Sequence, residues 1–175
     1  QVQCAVDRLA ALGGGTVELS AGTFALADSV HLRPNVTLRG QGEGTVLRKN
    51  AEKRSAVTAF LGYGHDDVLV AEPERFGAGE GVLLRDDGSH GFYATVSTLL
   101  RRDGEVWTVS RPHRHDYRRR DNAFMATVFP MVSAYDAHGA VVEDLAIDGN
   151  AEENPTHLDG CRGMVITGSN TGGKT

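Results

Sequence analysis

The chain has 175 residues, of which 40% are apolar and 23% are charged, and its formal net charge is −5 at pH 7. This length is typical of about one domain, and the composition is that of an ordinary folded protein. The negative charge argues against general binding to nucleic acid or to anionic membranes, and no apolar run approaches the roughly 20 residues of a membrane-spanning helix.

The chain begins with a segment that predicts a short amphipathic helix. Apolar residues recur there at near-helical spacing and a run of glycines follows: Val2, Val6, Leu9, Leu12, Gly13, Gly14 and Gly15. Glycine is common where a helix ends, because it adopts the left-handed backbone conformation found there. We therefore expect a helix within residues 1–12 that covers the end of the strands that follow.

Residues 13–49 contain short apolar, β-branched runs separated by turn residues. The runs are 16–19, 29–32, 35–38 and 45–47, with Gly, Pro, Asn or Ser between them. Apolar and polar residues alternate within each run, which indicates half-buried strands. No helix of useful length fits between these strands, so βαβ units are excluded here. The pattern favours an all-β chain that winds on itself.

Two stretches of this segment carry a family resemblance. GGGTVELSAGTF at 13–24 and NVTLRGQGEGTVL at 35–47 resemble the N-terminal opening of right-handed parallel β-helix proteins. These form the pectate-lyase-like superfamily, which includes polysaccharide lyases, glycoside hydrolases and phage tailspikes. The resemblance implies an all-β, right-handed parallel β-helix (a solenoid) with the N-terminal helix as its cap. It also implies a polysaccharide partner and a secreted or cell-surface location.

The middle of the chain breaks this pattern. Strand-like runs at 68–70, 81–84, 93–100 and 106–109 follow a different spacing, and 102–105 reads Arg-Asp-Gly-Glu. Asp-Gly is a strong signal for a tight hairpin turn. We expect an inserted antiparallel β module over 63–134. It separates the cap helix and first β-helix coils (1–62) from resumed β-helix coils (135–175).

A recurrence of glycine marks the resumed coils. Gly139 and Gly163 each precede an apolar run, and they are 24 residues apart, which is the size of one solenoid repeat. Only three or four coils are counted, and no C-terminal cap is recognised. Because stacked repeats need about three units and a cap at each end, we expect this chain to be the N-terminal portion of a longer protein.

The most unusual local composition lies at 111–121, with five arginines and two histidines in eleven residues of an acidic chain. Arginine binds carboxylates through two parallel hydrogen bonds, so this loop is a candidate for gripping an acidic sugar. The candidate substrate-binding residues are Arg111, His113, Arg114, His115, Tyr117 and Arg118. A histidine, the tyrosine or an arginine would supply the base for β-elimination beside a carboxylate. The alternative is a solvated basic loop.

An acidic turn near the C-terminus is a second candidate site. Its oxygen-bearing residues Asp148, Asn150 and Asp159 are candidate ligands for Ca²⁺, the one cofactor that we consider. A carboxylate pair there would alternatively serve glycoside hydrolysis. The spacing matches no calcium loop, and the catalytic set of polygalacturonases is not assembled. The simpler interpretation is a polar turn between coils.

Two other features are weaker. Residues 168–175 fit the G-x-x-x-x-G-K-T spacing of a phosphate-binding loop, which works only where a helix follows, so a coil turn is favoured. Cys4 and Cys161 are the only cysteines, and two buried free thiols are favoured over a bridge.

The sequence therefore predicts a polysaccharide-active β-helix protein, a lyase or glycoside hydrolase that acts on an acidic glycan. It assigns no catalytic residue. The alternatives are a non-catalytic module for glycan binding or surface attachment, and an inactive scaffold whose chemistry lies elsewhere.

Overall fold

The structure is a computed structural model that describes residues 1–89, 93–156, 163–168 and 172. Within these residues it contains one α-helix, α1 (Val2–Ala11), and short β-strands. No helix in the described part of the chain is both long enough and apolar enough to span a membrane. The strands in chain order are β1 (Gly15–Glu18), β2 (Gly22–Leu26), β3 (Val30–His31), β4 (Val36–Arg39), β5 (Thr45–Lys49), β6 (Arg54–Ala56), β7 (Asp67–Leu69), β8 (Gly81–Arg85), β9 (Thr95–Asp103), β10 (Val106–Val109), β11 (Phe124–Thr127), β12 (Val132–Tyr135), β13 (Val141–Glu143), β14 (Ala146–Asp148) and β15 (Met164–Thr167).

The chain divides into two compact units. The first contains Gln1–Ala51 and Pro130–Thr175, and the second contains Glu52–Phe129. Among the described residues, the first unit holds α1 and the strands that pair in parallel sheets, and the strands of the second unit pair antiparallel.

The first unit is built from three parallel sheets of three strands each, in the orders β1–β4–β13, β2–β5–β14 and β3–β12–β15. In the first of these sheets, Leu38 is in register with Val17 on one side and Val142 on the other. All three side chains are buried. In-register parallel strands place like residues side by side, and each fully buried side chain of this size contributes about 1.5–3 kcal/mol.

The predicted continuous right-handed β-helix is wrong. The described residues form three short parallel sheets and one six-stranded antiparallel sheet, and no parallel sheet extends beyond three strands. The physical reason is that the middle of the chain, Glu52–Phe129, satisfies its backbone hydrogen bonds by antiparallel pairing within itself. None of its described residues adds a strand to the parallel sheets.

The segments that follow Gly139 and Gly163, which are 24 residues apart in the sequence, do not pair with each other. The strand after Gly139, β13, pairs with β4, whereas the strand after Gly163, β15, pairs with β12. The two segments therefore lie in different sheets. A regular spacing of glycines in the sequence indicates recurring turns. Which strands become neighbours is decided instead by the packing of their buried apolar side chains.

The second unit is a curled antiparallel sheet in the order β6–β11–β8–β9–β10–β7. An isolated antiparallel bridge between Val57 and Val70 links the residues that directly follow its two edge strands, β6 and β7. The predicted hairpin is confirmed, since β9 and β10 pair with Asp103 opposite Val106 and leave Gly104, with a φ of +58°, and Glu105 as the turn residues. The buried core contains Val57, Leu61, Val68, Val70, Phe76, Val82, Leu84, Leu99, Trp107, Val109, Tyr117, Ala123 and Met125.

Candidate functional site

The arginine-rich segment lies in the second unit between β10 and β11. It is not a free loop, because Tyr117 and Leu61 exchange two backbone hydrogen bonds of 2.9 and 3.0 Å. Earlier in the segment, the His113 amide donates a hydrogen bond to the carbonyl of His65 at 2.8 Å. The segment ends in a 3-10 turn, Arg119–Asp121, which Asn122 terminates with a left-handed φ of 54°. These contacts fix which side chains face inward.

Two of the predicted substrate-binding residues face inward. The Tyr117 hydroxyl lies 2.8 Å from Thr95 Oγ1 and donates to the carbonyl of Tyr93 at 2.7 Å, and burial raises its pKa. The His113 ring is buried with Nδ1 3.2 Å from the carbonyl of Gly62, and burial lowers its pKa. Both side chains lie beneath the protein surface that the arginine-rich segment forms, and they are not part of that surface.

Three of the other predicted residues meet in one cavity of about 530 Å³, which we call the tyrosine cavity. It is lined by Tyr63, Tyr93, Arg114, His115, Asp116, Arg118 and Asp121. The tyrosine rings are widely exposed, at 72% for Tyr63 and 57% for Tyr93. Arg111 is exposed but does not line this cavity. The contribution of the two tyrosines was missed at the sequence level, since nothing in their local pattern reveals exposure.

The charges around the tyrosine cavity are only partly neutralised. Arg118 Nη2 lies 3.2 Å from Asp116 Oδ2, and the other oxygen of Asp116 accepts a hydrogen bond from the Tyr63 amide at 2.8 Å. Within the described part of the chain, Arg114 forms no ion pair with a carboxylate. Its guanidinium is therefore a donor available to a ligand.

A histidine and a buried carboxylate lie together at this cavity. His115 Nε2 is 3.4 Å from Asp86 Oδ2, and the side chain of Asp86 is only 1% exposed. Asp86 Oδ1 also accepts a hydrogen bond from the Gly88 amide at 3.0 Å. The His115 ring contacts the rings of Tyr93 and Tyr117 at centroid distances of 5.7 and 5.5 Å. An imidazole oriented in this way can take up or release a proton. Asp86 was missed because nothing in its local sequence distinguishes it.

The candidate calcium ligands lie in the first unit, at the end of β14. Arg48 donates to Asp148 Oδ2 at 2.6 Å and to Asn150 Oδ1 at 3.1 Å. A guanidinium therefore holds the oxygens that the sequence suggested for Ca²⁺. Asp159 lies outside the described residues. Among those that the structure describes, no three His, Cys, Asp or Glu side chains are grouped closely enough to hold a metal ion.

The cysteines and the 168–175 segment add little evidence about function. Cys4 is exposed and free, so its predicted burial is wrong, and Cys161 lies outside the described residues. The same holds for most of the 168–175 segment, of which only Gly168 and Gly172 are described.

No family model and no curated protein matches this chain. Solved structures that resemble it include three phage tailspikes. The tailspike gp61 of Pseudomonas phage phi297 has a TM-score of 0.42 at 10% identity over 83% of this chain. Gp54 of Acinetobacter baumannii bacteriophage AP22, solved in complex with A. baumannii capsular saccharide, has a TM-score of 0.42 at 11% identity over 99%. Gp49 of Pseudomonas phage LKA1 has a TM-score of 0.37 at 14% identity over 84%.

This chain spans 30% of the length of the first of these tailspikes and 31% of each of the other two. At these scores and identities, the likenesses assign the chain to no family.

Proposed function

We propose that the protein binds an acidic polysaccharide in the tyrosine cavity and cleaves it by β-elimination, as a polysaccharide lyase. One observation carries the proposal. A single cavity is surrounded by two exposed tyrosine rings, by an arginine without a carboxylate partner in the described chain, and by a histidine beside a buried aspartate. The proposal includes a location of the protein outside the cell or at the cell surface.

Binding follows from the chemistry of the lining. The C–H faces of a sugar ring pack against aromatic rings, and Tyr63 and Tyr93 present such rings to solvent. Arg114 supplies two parallel N–H donors for a uronate carboxylate. A cavity of about 530 Å³ lies within the range of ordinary ligand sites. The combination favours an acidic sugar over a neutral one.

Cleavage uses the histidine. His115 Nδ1, the ring nitrogen that does not face Asp86, removes the C5 proton of a uronate unit. The electron pair of that C–H bond forms the C4=C5 double bond, the C4–O glycosidic bond breaks, and the departing oxygen takes a proton from water. The hydroxide that remains takes the proton from the His115 imidazolium, which restores the base. Arg114 lowers the cost of this step by drawing charge onto the sugar carboxylate, and Asp86 stabilises the imidazolium.

The glycoside-hydrolase alternative has less support. It needs one carboxyl group as acid and a second as base or nucleophile. Of the two carboxylates in the cavity, Asp116 is held by Arg118 and the Tyr63 amide, and Asp121 lies 3.7 Å from Arg120 Nε. The non-catalytic alternative needs only the tyrosines and Arg114, so it is distinguished from the lyase by turnover alone.

The test combines binding and turnover on one panel of polymers. Isothermal titration calorimetry with uronate-containing and neutral polysaccharides measures affinity, and the ultraviolet absorbance of the unsaturated product measures cleavage. We expect binding to the acidic polymers only. Arg114→Ala should weaken it about tenfold, as for loss of a charged hydrogen bond. Arg102→Ala, a change at the exposed end of β9 outside the cavity, should leave it unchanged.

The role of the histidine is tested on the same panel. We expect His115→Ala to abolish the product while binding persists. Binding by the wild-type protein without any product would contradict the lyase and support the non-catalytic module. Equal binding to neutral and acidic polymers would contradict the proposed role of Arg114.

A further inference from the structure

A second cavity lies in the same unit, and the proposed function does not use it. It measures about 460 Å³, and the residues that line it include Arg54, Thr58, Arg119, Asn122 and Phe124. We call it the phenylalanine cavity. No carboxylate is among its described lining residues, although the chain as a whole is acidic.

The phenylalanine cavity has the chemistry of an anion site beside an apolar face. The Arg54 guanidinium lies over the Phe124 ring at 3.7 Å from its centroid. Stacking occupies the face of the guanidinium and leaves the N–H groups at its edge available for a planar anion. Neither Arg54 nor Arg119 forms an ion pair with a carboxylate of the described chain. Two arginines are therefore available at this cavity.

Two chain segments connect the cavities. Residues 58–63 run from Thr58 in the phenylalanine cavity to Tyr63 in the tyrosine cavity. Residues 118–122 alternate between them, since Arg118 and Asp121 line the tyrosine cavity whereas Arg119 and Asn122 line the other. Five residues of extended chain reach at most about 17 Å, so the cavities are separated by no more than a few sugar rings.

The surface between the cavities is ordered by its own contacts. Leu61 of the first segment exchanges two backbone hydrogen bonds with Tyr117, the residue that directly precedes the second segment. The Arg118 guanidinium lies 5.5 Å from the ring centroid of Phe60, a residue that is 59% exposed. A carbohydrate chain that follows these segments from one cavity to the other meets the Phe60 ring and the Arg118 guanidinium.

We propose that the phenylalanine cavity is a second subsite for an acidic sugar, so that the ligand is a polymer whose charged units occupy both cavities. Arg54 and Arg119 bind a carboxylate of one sugar unit, while Arg114 binds the carboxylate of another. This inference rests on the proposed function for the class of ligand, and it adds that recognition depends on chain length.

The experiment is calorimetric titration with uronate oligosaccharides of graded length. We expect the affinity of the wild-type protein to rise with length until both cavities are occupied. Arg119→Ala and Arg54→Ala should each reduce this gain by about tenfold, the effect of losing one charged hydrogen bond. Arg102→Ala is the matched control. Its guanidinium also lies over an aromatic ring, that of Trp107 at 5.9 Å, but it lies outside both cavities.

Each outcome decides between the two proposals. The second subsite is supported if the affinity rises with oligosaccharide length and if Arg54→Ala and Arg119→Ala reduce that rise. Arg102→Ala should not reduce it. Binding that does not strengthen with length, or a gain that both variants leave intact, overturns the second subsite and leaves the tyrosine cavity standing. Absence of binding at every length overturns both the proposed function and the subsite.

Discussion

The hydroxyl of Tyr117 donates a hydrogen bond of 2.7 Å to the main-chain carbonyl of Tyr93. A fully buried side chain thereby holds the backbone of a residue whose own ring lies at the surface. Thr95 Oγ1 lies 2.8 Å from the same hydroxyl and accepts a hydrogen bond from the Arg114 amide at 2.8 Å. The buried part of the arginine-rich segment thus positions both an aromatic ring and an arginine of the tyrosine cavity.

Tyr117→Phe tests this support. The substitution removes the donor to the Tyr93 carbonyl, and a buried polar group left without its partner costs about 1–3 kcal/mol. We expect the free energy of unfolding, measured by urea denaturation, to fall by that amount. Tyr135→Phe is the control, because Tyr135 is 75% exposed and should tolerate the change. Equal stability of the two variants would show that the buried hydroxyl contributes nothing.

The buried His113 predicts a loss of stability in mild acid. Burial lowers its pKa in the folded state below the ordinary value of 6.5 that the unfolded chain retains. Between these two pKa values the unfolded chain binds more protons, so stability is greatest above pH 6.5 and decreases as the pH falls through that window. Urea denaturation at pH values on either side of 6.5 measures the change.

His113→Phe provides the comparison for that pH dependence. A phenylalanine cannot be protonated, so the stability of the variant should depend less on pH below 6.5 than that of the wild type. The variant also loses the contact with the Gly62 carbonyl, which should cost about 1 kcal/mol at neutral pH. An identical slope in both proteins would refute a role for His113.

Asp86→Asn tests whether the buried carboxylate assists His115. If Asp86 stabilises the imidazolium that forms during β-elimination, the amide should lower kcat at least about tenfold and leave KM unchanged. Asp67→Asn is a matched control, since Asp67 Oδ1 is also 3.4 Å from a histidine, His65 Nδ1, but that pair is exposed. Similar kcat values for the two variants would argue against the role of Asp86.

Gly40→Ala tests the close packing of the first unit. A Cβ at Gly40 would lie 2.8 Å from the Cβ atoms of both Leu145 and Thr45, closer than side chains approach each other. We expect overpacking to destabilise the protein by about 1–3 kcal/mol. Gly44→Ala in the same turn is the control, because its nearest contacts would be an ordinary 3.6 and 3.7 Å. The melting temperatures of the two variants are compared by thermal unfolding. Equal values would refute the close approach at Gly40.

The sequence predicted the local elements better than their assembly. The N-terminal helix and the hairpin at Asp103 and Gly104 depend on neighbouring residues, and both are present. The continuous β-helix was wrong, and the Gly139 and Gly163 segments lie in different sheets, because strand pairing joins residues far apart in the chain. Short strands of similar composition are compatible with several pairings, and burial of the whole core selects among them.

The same distinction applies to the candidate site. The sequence by itself determined that 111–121 concentrates positive charge in an acidic chain, because charge is a property of the residues present. Only the tertiary structure decided that His113 and Tyr117 point inward while Arg114 and His115 line a cavity. The reason is that the partners that fix these side chains, from Gly62 to Thr95, come from distant parts of the chain.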